Sequence, residues 1–141
     1  MKLITVALAE SITGGRVSAK LVEVPDASQY FLGSIVAYSD QAKINLLDVQ
    51  PATIATHGVV SAQVALEMAH GAKKKFGANL ALSVTGYAGP KGEDIGLVFV
   101  AWTDGDHDHC KKLEIGGKSR VEIIEEVTQW MIEKIDVLRQ I

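Results

Sequence analysis

The chain has little cysteine, proline and aromatic content, and it has no long hydrophobic run. Its single cysteine, Cys110, cannot form an internal disulfide, so we expect a reducing, cytoplasmic environment. No apolar stretch is long enough to span a bilayer, so we expect no membrane partner. Proline occurs only three times, and no repeat, low-complexity segment or linker is evident.

Neither sign of charge is in large excess. The formal net charge is −3, and the composition therefore gives no electrostatic reason to expect nucleic-acid binding. The one basic run, at 73–75, falls where a helix is predicted to end, and lysines there complement the helix dipole. The 141 residues are 48% hydrophobic, and we expect residues 1–141 to form a single domain.

Hydrophobic patterning predicts an α/β fold. We expect strands at 3–8, 30–38, 80–85, 97–102 and 110–115. Helices are predicted at 15–24, from a cap at Asp40 to 47, from a cap at Ser61 to 76, and at 119–138, with a turn at 51–54. The last helix has an apolar stripe formed by Val121, Ile124, Val127, Met131, Ile135 and Leu138. Such mixing predicts a sheet covered on both faces, mostly parallel, with an antiparallel hairpin at 103–106.

The polar segment after the first strand is the most informative part of the sequence. It places a carboxylate, two hydroxyls and two glycines where a strand turns into a helix: Glu10, Ser11, Thr13, Gly14 and Gly15. In open α/β sheets this is the end where ligands bind, and free amides at a helix start favour an anion. The alternative is that Ser11 or Thr13 only caps the helix.

A second polar segment follows the second strand. If the two strands are parallel, Tyr38 and Ser39 emerge at the same sheet edge as Ser11. Lys43 lies about one helical turn later, so its side chain can reach back toward Ser11. A desolvated lysine loses its proton more readily and can accept one from a serine, which suits acyl transfer. The alternative is a surface lysine beside a tyrosine at the end of a strand.

Two further segments are weaker indicators of chemistry. The loop at 86–94 contains Gly86 and Gly89, which can form a backbone nest for an anion or a carbonyl oxygen, although a tight loop also needs glycine. The segment from His107 to Cys110 has two histidines on one strand face, but no further ligands are obvious. We therefore expect a solvated hairpin there and no metal, and we expect no cofactor.

Four of these segments together resemble a known family. They are 9–15 (Ala-Glu-Ser-Ile-Thr-Gly-Gly), 36–43, 57–61 and 82–90, in this order along nearly the whole chain. They are similar to the C-terminal domain of the competence/damage-inducible protein CinA, whose stand-alone form is nicotinamide mononucleotide deamidase. The resemblance implies a three-layer α/β/α sandwich that hydrolyses the amide of nicotinamide mononucleotide to nicotinate mononucleotide and ammonia, in pyridine-nucleotide salvage.

By motif position the resemblance also implies the roles of individual residues. It makes Ser11 the nucleophile, with Tyr38 and Lys43 as its catalytic partners. The residues implied to bind the substrate are Glu10, Thr13, Gly14, Gly15, Ser39, Gly86, Gly89 and Arg120. The chain departs from the usual pattern at Ile12, where the family usually has cysteine, and it keeps one arginine, Arg120, before the last helix.

These departures leave a second function open, namely a non-catalytic nucleotide-binding or assembly module on the same fold. A measurement of ammonia release from nicotinamide mononucleotide distinguishes the two functions.

We also expect a homo-oligomer, because the amphipathic helix that usually precedes the first strand is missing here, which would leave apolar surface uncovered. The last helix, with Trp130 beside its apolar stripe, is the candidate contact; the alternative is that Trp130 packs within the monomer.

Overall fold

The structure, a computed structural model, describes residues 3–140. The strands and helices follow one another in the order β1 (Val6–Glu10), α1 (Arg16–Val22), β2 (Phe31–Val36), α2 (Asp40–Leu47), α3 (Pro51–His57), α4 (Ala62–Phe76), β3 (Leu80–Gly86), β4 (Leu97–Thr103), β5 (Asp108–Glu114) and α5 (Arg120–Arg139). A short 3₁₀ helix at Ala27–Gln29 joins α1 to β2. None of the described helices is both long and apolar enough to cross a membrane.

The strands form a mixed sheet in the order β2-β1-β3-β4-β5. β1 pairs in parallel with both β2 and β3, whereas β4 is antiparallel to β3 and to β5. Four of the five described strands therefore point the same way, and β4 runs against them. This confirms the predicted α/β sheet, mostly parallel with an antiparallel hairpin.

The two faces of the sheet bury side chains of different size. Large aliphatic residues such as Leu8, Leu82 and Val100 share one core with α1 and α5. Small residues such as Ala9 and Ala81 face the other way, and there they pack with α2 and α4. Small side chains let the long helix α4 approach the sheet closely. The result is the three-layer α/β/α sandwich that the resemblance implied.

Local sequence signals explain the two longest helices. Ser61 caps α4 by accepting a hydrogen bond from the backbone N–H of Val64, and Gly77 ends the helix in the left-handed conformation. Ser119 caps α5 in a reciprocal capping box with Glu122. Both helices are found where the sequence predicted them.

Three details of the predicted elements are wrong. The first strand was placed at 3–8 but runs from 6 to 10, because only those residues lie between β2 and β3 and can pair on both sides. The cap of α2 is Ser39 and not Asp40. The segment 51–54, predicted as a turn, begins α3, since a proline is tolerated in the first turn of a helix.

The buried stripe of α5 also differs from the predicted one. Val121, predicted to face the core, is 58% exposed, and Ile123 is fully buried in its place. The remaining predicted positions of the stripe, from Ile124 to Ile135, are buried. At the start of α5 the buried side is therefore the one that packs against α1 and the sheet, which periodicity alone did not identify.

Candidate functional site

The candidate site lies at the carboxyl ends of the three parallel strands. Glu10, the last residue of β1, is level with Val36 of β2 and Val84 of β3. After β1 the chain crosses to β2 on one side, and after β2 it returns to β3 on the other side. Such a reversal of strand order leaves a crevice at the carboxyl edge of an open sheet, which is where ligands bind. Ser11 is the first residue beyond β1 at this edge.

A direct hydrogen bond joins Ser11 to Lys43. The Lys43 ammonium nitrogen, Nζ, lies 2.9 Å from the Ser11 hydroxyl oxygen. Ser11 is 6% exposed and Lys43 is 1% exposed, although lysine is among the residues least often buried. Lys43 lies in the first turns of α2, which Ser39 starts by accepting a hydrogen bond from the backbone N–H of Ala42. The contact that was expected from the spacing of the two segments is therefore formed.

Lys43 has two further hydrogen-bond partners, and both are acceptors. Its Nζ donates to the carbonyl oxygens of Ala37 at 2.9 Å and Tyr38 at 3.2 Å. Burial lowers the pKa of Lys43, because the charged form loses its hydration, and the nearby Asp40 carboxylate opposes this effect only in part. A neutral amine has two N–H groups for the two carbonyls and one lone pair for the Ser11 hydroxyl. The surroundings therefore suit Lys43 as a proton acceptor for Ser11.

The carboxylate of Glu10 is fully buried and holds the turn that follows it. Both oxygens accept hydrogen bonds from the start of α1 and from nearby hydroxyls. The donors are the hydroxyls of Thr13 (2.6 Å), Ser18 (2.6 Å) and Ser34 (3.5 Å), and the backbone N–H groups of Gly15 (3.2 Å), Val17 (3.0 Å) and Ser18 (3.0 Å). Neither Ser11 nor Thr13 caps α1; Gly15 occupies the cap position without a side chain, and Glu10 supplies the acceptor.

The turn between β1 and α1 leaves backbone donors available. Gly14 donates its N–H to the Ser11 carbonyl oxygen, and the Gly15 N–H is bonded to Glu10. Among residues 3–140, the N–H groups of Ile12 and Thr13 have no hydrogen-bond acceptor. Free N–H groups beside a nucleophile are the type of donor that stabilises an oxyanion. Left-handed backbone at Gly14 and Gly15 makes this tight turn possible.

Arg120 connects the loops on either side of Ser11. Its Nη2 donates to the Tyr38 hydroxyl at 2.9 Å, and its Nη1 donates to the Gly89 carbonyl oxygen at 2.5 Å. Tyr38 follows β2 and Gly89 follows β3, and β1 lies between these strands. Tyr38 is 61% exposed, so it lies at the surface of the carboxyl edge of the sheet. The remaining guanidinium N–H groups of Arg120 are free to receive an anion.

The structure gives the residues named from the sequence different surroundings. Ser11 and Lys43 are in contact, and Tyr38 and Arg120 meet at the edge of the same crevice. Glu10 and Thr13 were expected to touch the substrate, but both are fully buried and bonded to each other. Both side chains lie beneath the 11–14 turn, where their hydrogen bonds support it.

Three more of the named residues have mainly structural contacts. Ser39 is exposed, and its hydroxyl caps α2. Gly86 ends β3, where a side chain would overlap Val98 and press on Ile12. Gly89 has a left-handed backbone and packs closely against Ile95, so its backbone carbonyl, and not a nest of N–H groups, meets Arg120.

Sequence reasoning missed the donors that surround Glu10. Ser18 and Ser34 both point their hydroxyls at its carboxylate, one from α1 and the other from β2. A signal for the first contact is present in the sequence, because α1 has no acidic residue in its first turn and follows a buried strand that ends in glutamate. The contact from Ser34 depends on strand pairing and leaves no local signal.

The histidine cluster of the β4–β5 hairpin has ordinary surface interactions. His107 lies 3.2 Å from an Asp104 carboxylate oxygen, and His70 of α4 lies 2.8 Å from Asp108. His109 stacks on Trp102 with the ring centres 5.5 Å apart. Within residues 3–140, no group of three or more histidine, cysteine or acidic side chains is close enough to hold a metal ion.

Known proteins with similar sequences indicate the family of this chain. Residues 1–138 match the family model described as the CinA C-terminal domain. The chain is 41% identical over 138 residues to Protein MG115 of Mycoplasma genitalium, with 96% of this chain and 88% of that protein covered. It is 44% identical over 126 residues to a CinA-like protein of a Geobacter species, where 86% of this chain covers only 30% of the longer relative.

A solved structure extends the comparison to the fold. The competence/damage inducible protein CihA of Agrobacterium tumefaciens superposes with a TM-score of 0.91 at 35% identity, covering 96% of this chain and 85% of that one. A CinA superfamily protein of Escherichia coli gives a TM-score of 0.90 at 27% identity, covering 99% and 81%. Sequence and fold thus lead to one conclusion: the chain belongs to the family of CinA C-terminal domains.

Proposed function

We propose that this chain is an amidohydrolase that converts nicotinamide mononucleotide and water to nicotinate mononucleotide and ammonia. The observation that carries the proposal is the 2.9 Å hydrogen bond between two buried groups, the Lys43 amine and the Ser11 hydroxyl. A buried lysine beside a serine is costly to maintain without a use, and it supplies the base that a serine nucleophile needs.

The proposed reaction begins with attack of the Ser11 oxygen on the carbon of the substrate carboxamide. Lys43, in its neutral form, takes the hydroxyl proton as the new C–O bond forms. The carbonyl oxygen becomes an oxyanion, and the free N–H groups of Ile12 and Thr13 are the candidate donors for it. Lys43 then returns the proton to the amide nitrogen, the C–N bond breaks, and ammonia leaves.

The second half of the reaction releases the acid. Water attacks the ester carbon on Ser11, and Lys43 accepts one proton from that water. The C–O bond to Ser11 breaks, Lys43 returns a proton to the serine oxygen, and nicotinate mononucleotide is the product. Atoms and charges balance with water as the other reactant.

Arg120 is the proposed contact for the substrate phosphate. The N–H groups at the start of α1 are taken by the Glu10 carboxylate, so they do not bind a second anion. Arg120 carries a permanent positive charge at the mouth of the crevice and has N–H groups beyond those bonded to Tyr38 and Gly89. Nicotinamide riboside, which lacks the phosphate, should therefore have a higher KM than the nucleotide.

The test of this function is ammonia release and formation of the acid from nicotinamide mononucleotide by the purified chain. The proposal predicts turnover without any added metal and without loss of rate after chelation. Binding of the nucleotide without turnover would support the non-catalytic module and reject the enzyme.

Two properties of the proposed enzyme have their own support. We propose a cytoplasmic location because Cys110 is a free thiol. We propose a homo-oligomer because two valines of α5, Val121 and Val137, are exposed, while Trp130 is only part-buried against Trp102. Light scattering at micromolar concentration is the check: a mass near 15.1 kDa would show a monomer and reject the oligomer.

A further inference from the structure

Glu10 is a buried charge for which the proposed reaction has no direct use. Its carboxylate is fully buried, and no lysine, arginine or histidine of the described chain forms an ion pair with it. A buried charge is tolerated only when hydrogen bonds replace its lost hydration. Here three backbone N–H groups and three hydroxyls do so.

The donors show what the carboxylate holds in place. Gly15, Val17 and Ser18 supply the backbone N–H groups, and these residues form the cap and first turn of α1. Glu10 itself is the last residue of β1. Its side chain therefore joins the end of the strand to the start of the helix, and the turn 11–14 is closed between these two points.

The neighbouring side chain points to the other side of the sheet. Glu10 is bonded to α1, which shares a core with α5, whereas the adjacent Ser11 is bonded to Lys43 of α2, which packs with α4. Fixing the Glu10 side chain thus fixes the direction in which the Ser11 hydroxyl leaves the backbone. The same closure orients the free N–H groups of Ile12 and Thr13.

We propose that Glu10 is a positioning residue that holds the 11–14 turn so that the Ser11 hydroxyl meets the Lys43 amine. It touches neither the substrate nor the reacting atoms. The catalytic significance of this role rests on the proposed function. The geometry that Glu10 controls determines the reactivity of Ser11. That reactivity can be measured without the proposed substrate.

The test compares two substitutions that separate charge from volume. Glu10→Gln keeps the size of the side chain but replaces one oxygen with an amide NH₂, which then faces N–H donors of α1. Glu10→Asp keeps both oxygens on a side chain that is shorter by one methylene. Ser11 is labelled with a fluorophosphonate, and the rate is followed by peptide mass spectrometry. If Glu10 only fills space, Ser11 should be labelled faster in Glu10→Gln than in Glu10→Asp. If Glu10 is a positioning residue, Ser11 should be labelled faster in Glu10→Asp.

We expect Glu10→Gln to label roughly tenfold to a hundredfold more slowly than the wild type, since misplacement by about 1 Å costs rates of this size. Thermal melting of each variant, and labelling well below its Tm, confine the comparison to folded protein. Glu23→Gln is the matched control, because Glu23 caps the other end of α1 and its carboxylate is exposed. This control should label at the wild-type rate.

The outcomes separate this inference from the proposed function. Wild-type labelling in folded Glu10→Gln overturns the positioning role and leaves the amidohydrolase intact. Slow labelling of Glu10→Gln in a chain that does not turn over the nucleotide supports the positioning role and rejects the function. A wild-type Ser11 that the reagent does not label at all counts against both.

Discussion

The two ends of the sheet carry polar clusters that differ in burial and in chemistry. At the carboxyl end of β1, Ser11 and Lys43 are buried and hydrogen-bonded across 32 positions of the chain. At the β4–β5 hairpin, His107 and Asp104 are exposed and lie three positions apart. Exposed pairs contribute little because water solvates both groups, whereas a buried amine changes its acid–base behaviour. Burial, more than residue type, distinguishes the candidate site from the hairpin cluster.

The largest effect is expected when the buried pair of Ser11 and Lys43 is removed. Ser11→Ala and Lys43→Ala should each lower kcat by about a hundredfold or more, and the double variant should lose little beyond either single one, since the residues act as a unit. Steady-state kinetics with nicotinamide mononucleotide measures the effect. Lys74→Ala, an exposed lysine of α4, is the matched control and should keep full activity. If the fold-losses of the two single variants multiply in the double variant, the two residues act separately.

The pH dependence of the rate tests whether Lys43 acts as the base. Because burial lowers the pKa of Lys43, the neutral amine should already form below the usual lysine range of about 10.4. Below that lowered pKa, kcat/KM should rise about tenfold per pH unit. A rate that does not change with pH over this range would exclude Lys43 as the base.

The same shift affects stability in a defined direction. The pKa of Lys43 is lower in the folded than in the unfolded chain, so the unfolded chain binds more protons between the two values. The free energy of unfolding should therefore rise with pH across that window. Urea unfolding at a series of pH values measures it, and Lys43→Met should remove this part of the dependence.

The packing of α4 against α2, which carries Lys43, is the subject of the next prediction. A Cβ at Gly71 of α4 would overlap the backbone carbonyl of Leu47, one turn after Lys43 in α2. Gly71→Ala should lower the free energy of unfolding by about 1–3 kcal/mol through overpacking and should reduce activity by displacing α2. Gly116→Ala, with open space around its Cβ position, is the control. Equal stability of the two variants would show that α2 is not held by this contact.

The smallest effect is expected at the hairpin. Asp108 accepts hydrogen bonds from Thr103 and from His70, which together lower the pKa of its carboxyl group. Asp108→Ala should cost at most about 1 kcal/mol, because the pair is largely exposed. This contribution exists above the ordinary pKa of aspartate and is lost as the pH falls through the lowered value. Deamidation should be unchanged, and a tenfold loss would show that the hairpin takes part in function.

Local patterns were enough to predict most of the fold. Buried apolar runs marked β3 and β4, and the caps Ser61 and Ser119 marked α4 and α5, because these signals act within a few residues. The end of β1 was misplaced because it depends on pairing with β2 and β3. The phase of α5 at Val121 was wrong because tertiary packing, and not periodicity, sets the buried side.

The site was predicted in part for the same reason. The reach of Lys43 to Ser11 follows from a strand end, a helix start and one turn of helix, all of which the sequence shows. The role of Glu10 was not predicted, because its donors come from both α1 and β2 and become neighbours only in the folded sheet. The contact of Gly71 with α2 was missed because it exists only where two helices cross.

In the proposed mechanism, Ser11 carries the acyl group of the substrate during turnover. The most direct test is to quench the enzyme in acid during turnover of nicotinamide mononucleotide and to determine the mass of the peptide that contains Ser11. The proposed mechanism predicts that a fraction of this peptide carries the nicotinate mononucleotide acyl group, and that Ser11→Ala shows neither the adduct nor turnover. Turnover at the wild-type rate in Ser11→Ala, with no adduct in either protein, would contradict it.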